Sequence, residues 1–189
     1  MSPDNGATVW LTGLPSAGKS TIARLVAGRC VDAGLRVEIL DGDEVRAHLT
    51  PALGFTKEDR DANVKRIGYV ARLLARNGVL VLAPVIAPYA GSRAAVRALH
   101  DSCGARYIEV YIATSVETCV ERDVKGLYAR QAAGLISGLT GIDDPYEAPV
   151  DPDARVETVG STPEQSAAAV LRLLESRGLY PPSGPRTAR

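Results

Sequence analysis

No stretch of this sequence approaches the roughly 20 apolar residues of a membrane-spanning helix, so no span is expected. The opening MSPDNGAT has no basic segment followed by an apolar one, so a secretory signal is not expected either, and the expected compartment is the cytoplasm. Cysteine is scarce. Cys30, Cys103 and Cys119 are odd in number and widely separated, no CxxC pair occurs, and His48 and His100 are the only imidazoles. That pattern supports neither a disulfide framework nor a zinc site, and buried thiols are expected. Net charge is missing too: 22 Lys and Arg balance 22 Asp and Glu, which removes any global electrostatic case for nucleic acid or a membrane surface as partner. Any anion site must be local. There is no internal repeat, and only one phenylalanine, Phe55.

What is present is a chain of 189 residues, 46% hydrophobic, enough for one domain with a substantial core. Short apolar runs alternate with helix-period segments: TVWLTGL then TIARLVAGRC, RVEIL then ANVKRIGYVARLLARNG, VLVLAPVIAP then SRAAVRALHD, YIEVYIAT then SVETCVERD, ARVETVG then PEQSAAAVLRLLESRG. Val64, Ile67, Val70, Ala71 and Leu74 recur at spacings of a helix with one packed face. Runs such as VLVLAPVI do not alternate, as expected of strands covered on both sides, and strand–helix–strand order favours parallel pairing with right-handed crossovers. The expected architecture is an α/β three-layer sandwich around a mainly parallel sheet. Pro163 and Gly178 suit the start and stop of the last helix. Two segments break the rhythm, Gly42 to Asp61 and Lys125 to Asp153, and loops of that length inside a compact domain are usually functional lids or disordered insertions.

Gly13 to Ser20 reads GLPSAGKS, a full match to G-x-x-x-x-G-K-[ST], set between a predicted strand and a predicted helix. Such a loop wraps a phosphate with backbone N–H groups and a helix N-terminus; Lys19 reaches the outer phosphates and the Ser20 hydroxyl can ligate Mg²⁺. The chain is therefore expected to take a P-loop hydrolase- or kinase-like fold. After the second strand, LDGDEVRAHL puts Asp41 and Asp43 at the carboxyl edge of the sheet, where open α/β folds bind ligands. Two carboxylates there can serve Mg²⁺ and an acceptor hydroxyl, or form an acidic turn around Gly42. Arg46, Arg60 and Asn63 follow, and arginine forks suit a second anion, although a charged helix face looks the same in sequence. Phe55 among them is either a core anchor or a platform for a base.

From about Val9 to Leu179 the sequence resembles the adenylylsulfate kinases (APS kinases). The segments carrying the resemblance are LTGLPSAGKST, LDGDEVR, LGFTKEDRDANVKRIGYVARL, VIAPY, ERDVKGLYARQAAGLISGLTGIDDPYEAP and TPEQSAAAVLRLL. The resemblance implies residues 8–179 as the kinase domain, 1–7 as a short N-terminal extension and about 125–146 as a mobile lid, while the Pro and Gly of YPPSGPRTAR leave 180–189 as an expected flexible tail. It also implies transfer of the ATP γ-phosphoryl group to the 3′-hydroxyl of adenosine 5′-phosphosulfate, giving 3′-phosphoadenosine 5′-phosphosulfate and ADP. Sulfate assimilation and supply of a sulfuryl donor for specialised products both need that reaction. By motif position, Gly13, Leu14, Pro15, Ser16, Ala17, Gly18, Lys19, Ser20 and Thr21 would hold ATP. Asp43 would orient or deprotonate the acceptor hydroxyl, Asp41 would support Mg²⁺ through water, and Lys125 would point toward the phosphates. Arg46, Arg60 and Asn63 would hold the phosphosulfate and sugar, Phe55 would stack on the adenine, and the backbone of Ile86 and Ala87 would line its pocket. A homodimer and association with an ATP sulfurylase also follow from the resemblance.

Four positions depart from the family pattern. Ala87 stands in VIAPY where many members have serine, so no phosphoenzyme can form on that side chain and direct transfer in a ternary complex is expected. Ala90 and Ser92 replace an arginine and an acidic residue common after the tyrosine. Leu139 occupies the place of a lid phenylalanine that forms the second half of an aromatic clamp on the adenine, and losing ring–ring geometry there is worth about 0.5–1.5 kcal/mol. A related kinase with another nucleotide or metabolite acceptor is the alternative those changes allow. A non-catalytic adenylylsulfate-binding module would be expected to carry a broken phosphate loop, and this one is intact. No NKxD-type segment suggests a guanine-nucleotide switch.

Overall fold

In the computed structural model, which describes residues 6–182, the run ATVWLT forms β1 (Ala7–Thr12), buried at every position. Its side chains alternate between two cores: Val9 and Leu11 join one apolar cluster and Trp10 the other. The chain continues through α1 (Lys19–Asp32), β2 (Val37–Ile39), α2 (Gly42–Leu49), α3 (Lys57–Ala75), β3 (Leu80–Pro84), α4 (Ala90–Asp101), β4 (Arg106–Ala113), α5 (Val116–Arg122), α6 (Leu127–Ala132), β5 (Ala154–Glu157) and α7 (Pro163–Ser176). The strands form one sheet in the order β2-β3-β1-β4-β5, and all four pairings are parallel, with Val9 opposite Leu82 on one side and Ile108 on the other.

Helices cover both faces, as the unbroken apolar runs require. Ile22, Val26, Val170 and Leu174 from α1 and α7 pack on one side of the sheet; Val64, Ile67 and Val96 from α3 and α4 pack on the other. Gly68 lets α3 and α4 approach closely: a Cβ there would lie 2.6 Å from a Val96 methyl. The chain leaves β1 toward β2 and leaves its neighbour β3 toward β4, so the two connections part at the carboxyl ends of these adjacent strands, and the crevice between them opens above the phosphate loop.

The expected break from Gly42 to Asp61 is more helical than its composition suggests. Asp41 caps α2 by accepting from Asp43 N–H, and Thr56 caps α3 by accepting from Asp59 N–H, so each short polar residue starts a helix rather than a loop. In α7, Thr162 and Gln165 form a capping box with Pro163 in the first turn, and Gly178 follows at φ +68°. Between residues 125 and 153 the chain is mostly irregular apart from α6 and a bridge between Thr140 and Asp144. Cys30 and Cys119 are buried as expected, but Cys103 is exposed, because it falls in the turn that ends α4 at Gly104. Ala7, expected in the extension, is the first residue of β1, and Tyr180, expected in the tail, packs half-buried on the larger core. Of those two terminal segments, residues 1–5 and 183–189 lie outside the described residues.

Candidate active site

Backbone geometry dictates the phosphate loop's glycines. A Cβ on Gly13 would stand 2.6 Å from the Ile112 carbonyl of β4, and Gly18 takes φ +102° as the residue that opens α1. The first-turn N–H groups of α1 have no intrahelical carbonyl to meet and are available to an anion. Lys19 is only 8% exposed and folds back so that Nζ donates to the carbonyls of Gly13, at 2.9 Å, and Leu14, at 2.7 Å. Burial pushes this ammonium down to about 8, with Lys125 nearby adding to the effect. A cation held by two neutral carbonyls is ready to exchange them for phosphate oxygens.

A cleft at the carboxyl ends of β1, β2 and β3 joins that loop to the expected acceptor residues. It is lined by Ser16, Lys19 and Ser20, by Asp41, Asp43 and Arg46, by Phe55, Arg60 and Asn63, by Ile86 and Ala87, and by Lys125. Ser20 Oγ donates to Asp41 Oδ2 at 2.7 Å, while Asp41 Oδ1 accepts from Asp43 N–H at 3.1 Å. The cap of α2 therefore also aims a carboxylate at the loop serine. Among the described residues no group of three or more His, Cys, Asp or Glu side chains forms a metal cage. The Ser20–Asp41 oxygen pair fits Mg²⁺, which commonly takes one or two protein oxygens together with water and substrate phosphates. Asp43, on the exposed first turn of α2, is ion-paired with Lys125, which lies between α5 and α6.

On the acceptor side, two guanidiniums converge on one aromatic ring. The Arg46 carbon lies 4.6 Å and the Arg60 carbon 5.8 Å from the centroid of Phe55, which is 66% exposed and so is a surface platform rather than a core anchor. Burial, with Arg60 nearby, lowers Arg46 from its ordinary value, the sign expected where two cations await an anion. Arg46 Nη1 donates to the carbonyls of Leu53 and Gly54. Arg60 donates to the Phe55 carbonyl, to Thr140 Oγ1 and to the Gly138 carbonyl, which leaves one N–H on each terminal nitrogen. Asn63 is buried, and its Oδ1 accepts from Thr50 at 2.7 Å, so the amide nitrogen is not consumed by that bond.

Gly13, Leu14 and Ala17 shape the loop from behind and do not line the cleft. Leu139 also departs from expectation: it lies outside the cleft, buried in the same apolar cluster as Leu14. The reason is local. Asp143 accepts from the N–H groups of Gly138 and Leu139, and the Leu139 carbonyl accepts from Ile142 N–H, so a tight turn points this side chain inward. The cleft is formed without it.

Several residues not expected from sequence hold the cleft together. Tyr89 donates to the Asp144 carboxylate, which also lies 3.6 Å from Arg60. Arg93, Tyr146 and Glu147 bond to the backbone at Ile86, Ala87 and Pro88, directly or through Thr12. Arg93 was detectable: it shares a helix face with Val96 and His100, and a charge on an apolar stripe needs a buried partner.

Residues 5–157 match the family model for adenylylsulphate kinase. An adenylyl-sulfate kinase of Myxococcus xanthus is 48% identical over 95% of this chain and 96% of its own length. The APS kinase CysC of Mycobacterium tuberculosis, solved in complex with AMPPNP and APS, superposes with a TM-score of 0.87 at 44% identity, covering 90% of this chain and 98% of that one. A probable bifunctional SAT/APS kinase of Sorangium cellulosum is 45% identical over 97% of this chain, which spans 31% of that protein.

Proposed function

The chain belongs to the adenylylsulphate kinase family, and we infer that it transfers the γ-phosphoryl group of ATP to the 3′-hydroxyl of adenosine 5′-phosphosulfate. The observation that carries this reading is one cleft shared by an intact phosphate loop, the Asp43 carboxylate and an Arg46–Phe55–Arg60 platform. A nucleotide hydrolase needs only the first of these; a kinase for an anionic nucleotide needs all three.

Phosphoryl transfer requires in-line placement and neutralised charge more than covalent chemistry. The loop amides and Lys19 would hold the ATP phosphates. Mg²⁺ would be held by Ser20 and, through water, by Asp41, and when bound it supplies positive charge to the phosphate oxygens. Arg46, Arg60 and the Asn63 amide would grip the phosphosulfate and sugar, while Phe55 stacks on the adenine and the backbone of Ile86 and Ala87 forms the wall. Asp43 would take the proton of the 3′-hydroxyl as that oxygen attacks the γ-phosphorus and the bond to the ADP oxygen breaks. Lys125 must leave Asp43 first, and the triphosphate offers it a more negative partner. Ala87 has no nucleophilic atom, which supports direct transfer. Lid closure would keep water from competing for the phosphoryl group.

A homodimer, association with an ATP sulfurylase and a cytoplasmic setting belong to the same proposal. The fused sulfurylase–kinase architecture named for the Sorangium relative supports the partner. No helix among the described residues is long and apolar enough to cross a membrane. Asp43→Asn tests the chemistry: with both substrates still bound, turnover should fall at least about a hundredfold. Near wild-type turnover would remove Asp43 as the base.

A further inference from the structure

The wall of the acceptor pocket has no regular structure of its own. Between the end of β3 and the start of α4, the chain from 85 to 89 belongs to neither strand nor helix, so its buried polar groups must find partners elsewhere. Val85 N–H takes the Leu11 carbonyl of β1, and the carbonyls of Ile86, Ala87 and Pro88 accept from Thr12, Arg93 and Glu147. Arg93 is 4% exposed, and its two terminal nitrogens donate to the carbonyls of Ala87, at 2.8 Å, and Glu147, at 2.7 Å, while its Nε lies 3.0 Å from Glu109 Oε1. Glu147 N–H donates to the Pro88 carbonyl at 2.8 Å, and its carboxylate accepts from Ala90 N–H at 2.6 Å. Tyr146 reaches the wall through β1. The Thr12 hydroxyl has one proton, which goes to the Ile86 carbonyl at 2.6 Å, so the Tyr146 hydroxyl donates to Thr12 Oγ1 at 2.9 Å.

The residue at the centre of these bonds is also the strained one. Ala87 holds φ +44° while buried, a conformation that non-glycine residues keep only where the surroundings over-determine it. Arg93, Tyr146 and Glu147 provide that over-determination from two directions, the first turn of α4 and the carboxyl end of the lid.

We propose that Arg93, Tyr146 and Glu147 are positioning residues, a clip that fixes the backbone of residues 86–90 in the shape that receives the acceptor nucleotide. The proposal rests on the kinase reading for its ligand. The clip supports the acceptor side of the cleft from behind, and none of its members is among the residues that line it. Acceptor binding, rather than ATP binding, should report its loss.

Two readouts on the full chain separate the clip from the function. Amide hydrogen exchange in the ligand-free protein should rise at residues 86–90 in Glu147→Ala, which removes the acceptor of Ala90 N–H from an exposed position, and return in Glu147→Gln, whose side-chain oxygen can still accept. Steady-state kinetics should show the KM for adenylylsulfate raised roughly fivefold in Glu147→Ala and in Tyr146→Phe, the effect of about one hydrogen bond, with the KM for ATP within about twofold. Removing Arg93 alone would strand Glu109, so Arg93→Gln with Glu109→Gln is the folded counterpart, and it should raise the acceptor KM about tenfold or more. Unchanged exchange at 86–90, or altered exchange with an unchanged acceptor KM, overturns the clip. So do parallel rises in both KM values together with a lowered melting temperature, which would mark a general structural role. If the wild-type protein does not phosphorylate adenylylsulfate, the functional reading fails, and exchange at 86–90 still decides whether the clip exists.

Discussion

Raising the pH probes the phosphate loop without changing a residue. Lys19 is buried against the Gly13 and Leu14 carbonyls, and burial brings its ammonium down to about 8, so the free protein loses this charge over an accessible range. A bound triphosphate favours the charged form and keeps Lys19 protonated well above that value. Above the free-protein pKa, each nucleotide must therefore bind together with a proton. The dissociation constant grows by a factor of 1 + 10^(pH − 8), from about 1.1 at pH 7 to about 11 at pH 9, a tenfold loss or about 1.4 kcal/mol. Calorimetric titration of a non-hydrolysable ATP analogue in two buffers of different ionisation heat reads both the affinity and the proton uptake. Uptake should approach one proton per nucleotide above pH 8, and Lys19→Arg, whose side chain does not titrate there, should lack the tenfold weakening. A flat wild-type affinity from pH 7 to 9, or the same slope in Lys19→Arg, would refute the reasoning.

Two further predictions concern stability. His100 is fully buried with Nδ1 against the Val96 carbonyl, so Nδ1 must be the donor and Nε2 accepts from Thr8 at 2.8 Å, a neutral ring. Burial lowers its pKa in the folded state, so the unfolded chain binds the proton more readily; stability is complete above the unfolded value of about 6.5 and declines as pH falls below it. Urea midpoints from pH 7.5 to 5 should show that decline in the wild type and less of it in His100→Gln. Gly68→Ala should destabilise by about 1–3 kcal/mol, since the new methyl meets Val96, whereas Gly28→Ala in α1, with nothing within 4 Å, should stabilise by about 0.5–1 kcal/mol. Thermal melts in which both shift the same way would contradict the packing argument.

The phosphate loop was legible because its chemistry is local: Gly13, Gly18, Lys19 and Ser20 lie within one turn, and their spacing carries the geometry. The three-layer sheet was legible for a related reason, since VLVLAPVI is apolar at every step and only a strand covered on both faces needs that. Asp41 and Thr56 were less so. Each looks like loop composition until its side chain is seen to accept the helix's own N–H, and then the apparent break becomes two helices. Leu139 was assigned by motif position to the substrate, yet a turn closed by Asp143 carries it into the core. The clip was hidden because its partners are far apart in sequence and most of its acceptors are carbonyls, which every residue carries. Only Arg93, a charge in an apolar stripe, left a trace.

Product analysis identifies the acceptor. Protein, Mg-ATP and adenylylsulfate would be followed by ADP release beside a parallel reaction with adenosine monophosphate, and the nucleotide product identified by mass and by the position of its new phosphate. The expected product is a 3′-phosphorylated sulfonucleotide, formed much faster than any product from the monophosphate and abolished by Lys19→Ala. Tight binding of both nucleotides without turnover, or equal turnover of the monophosphate, would contradict it.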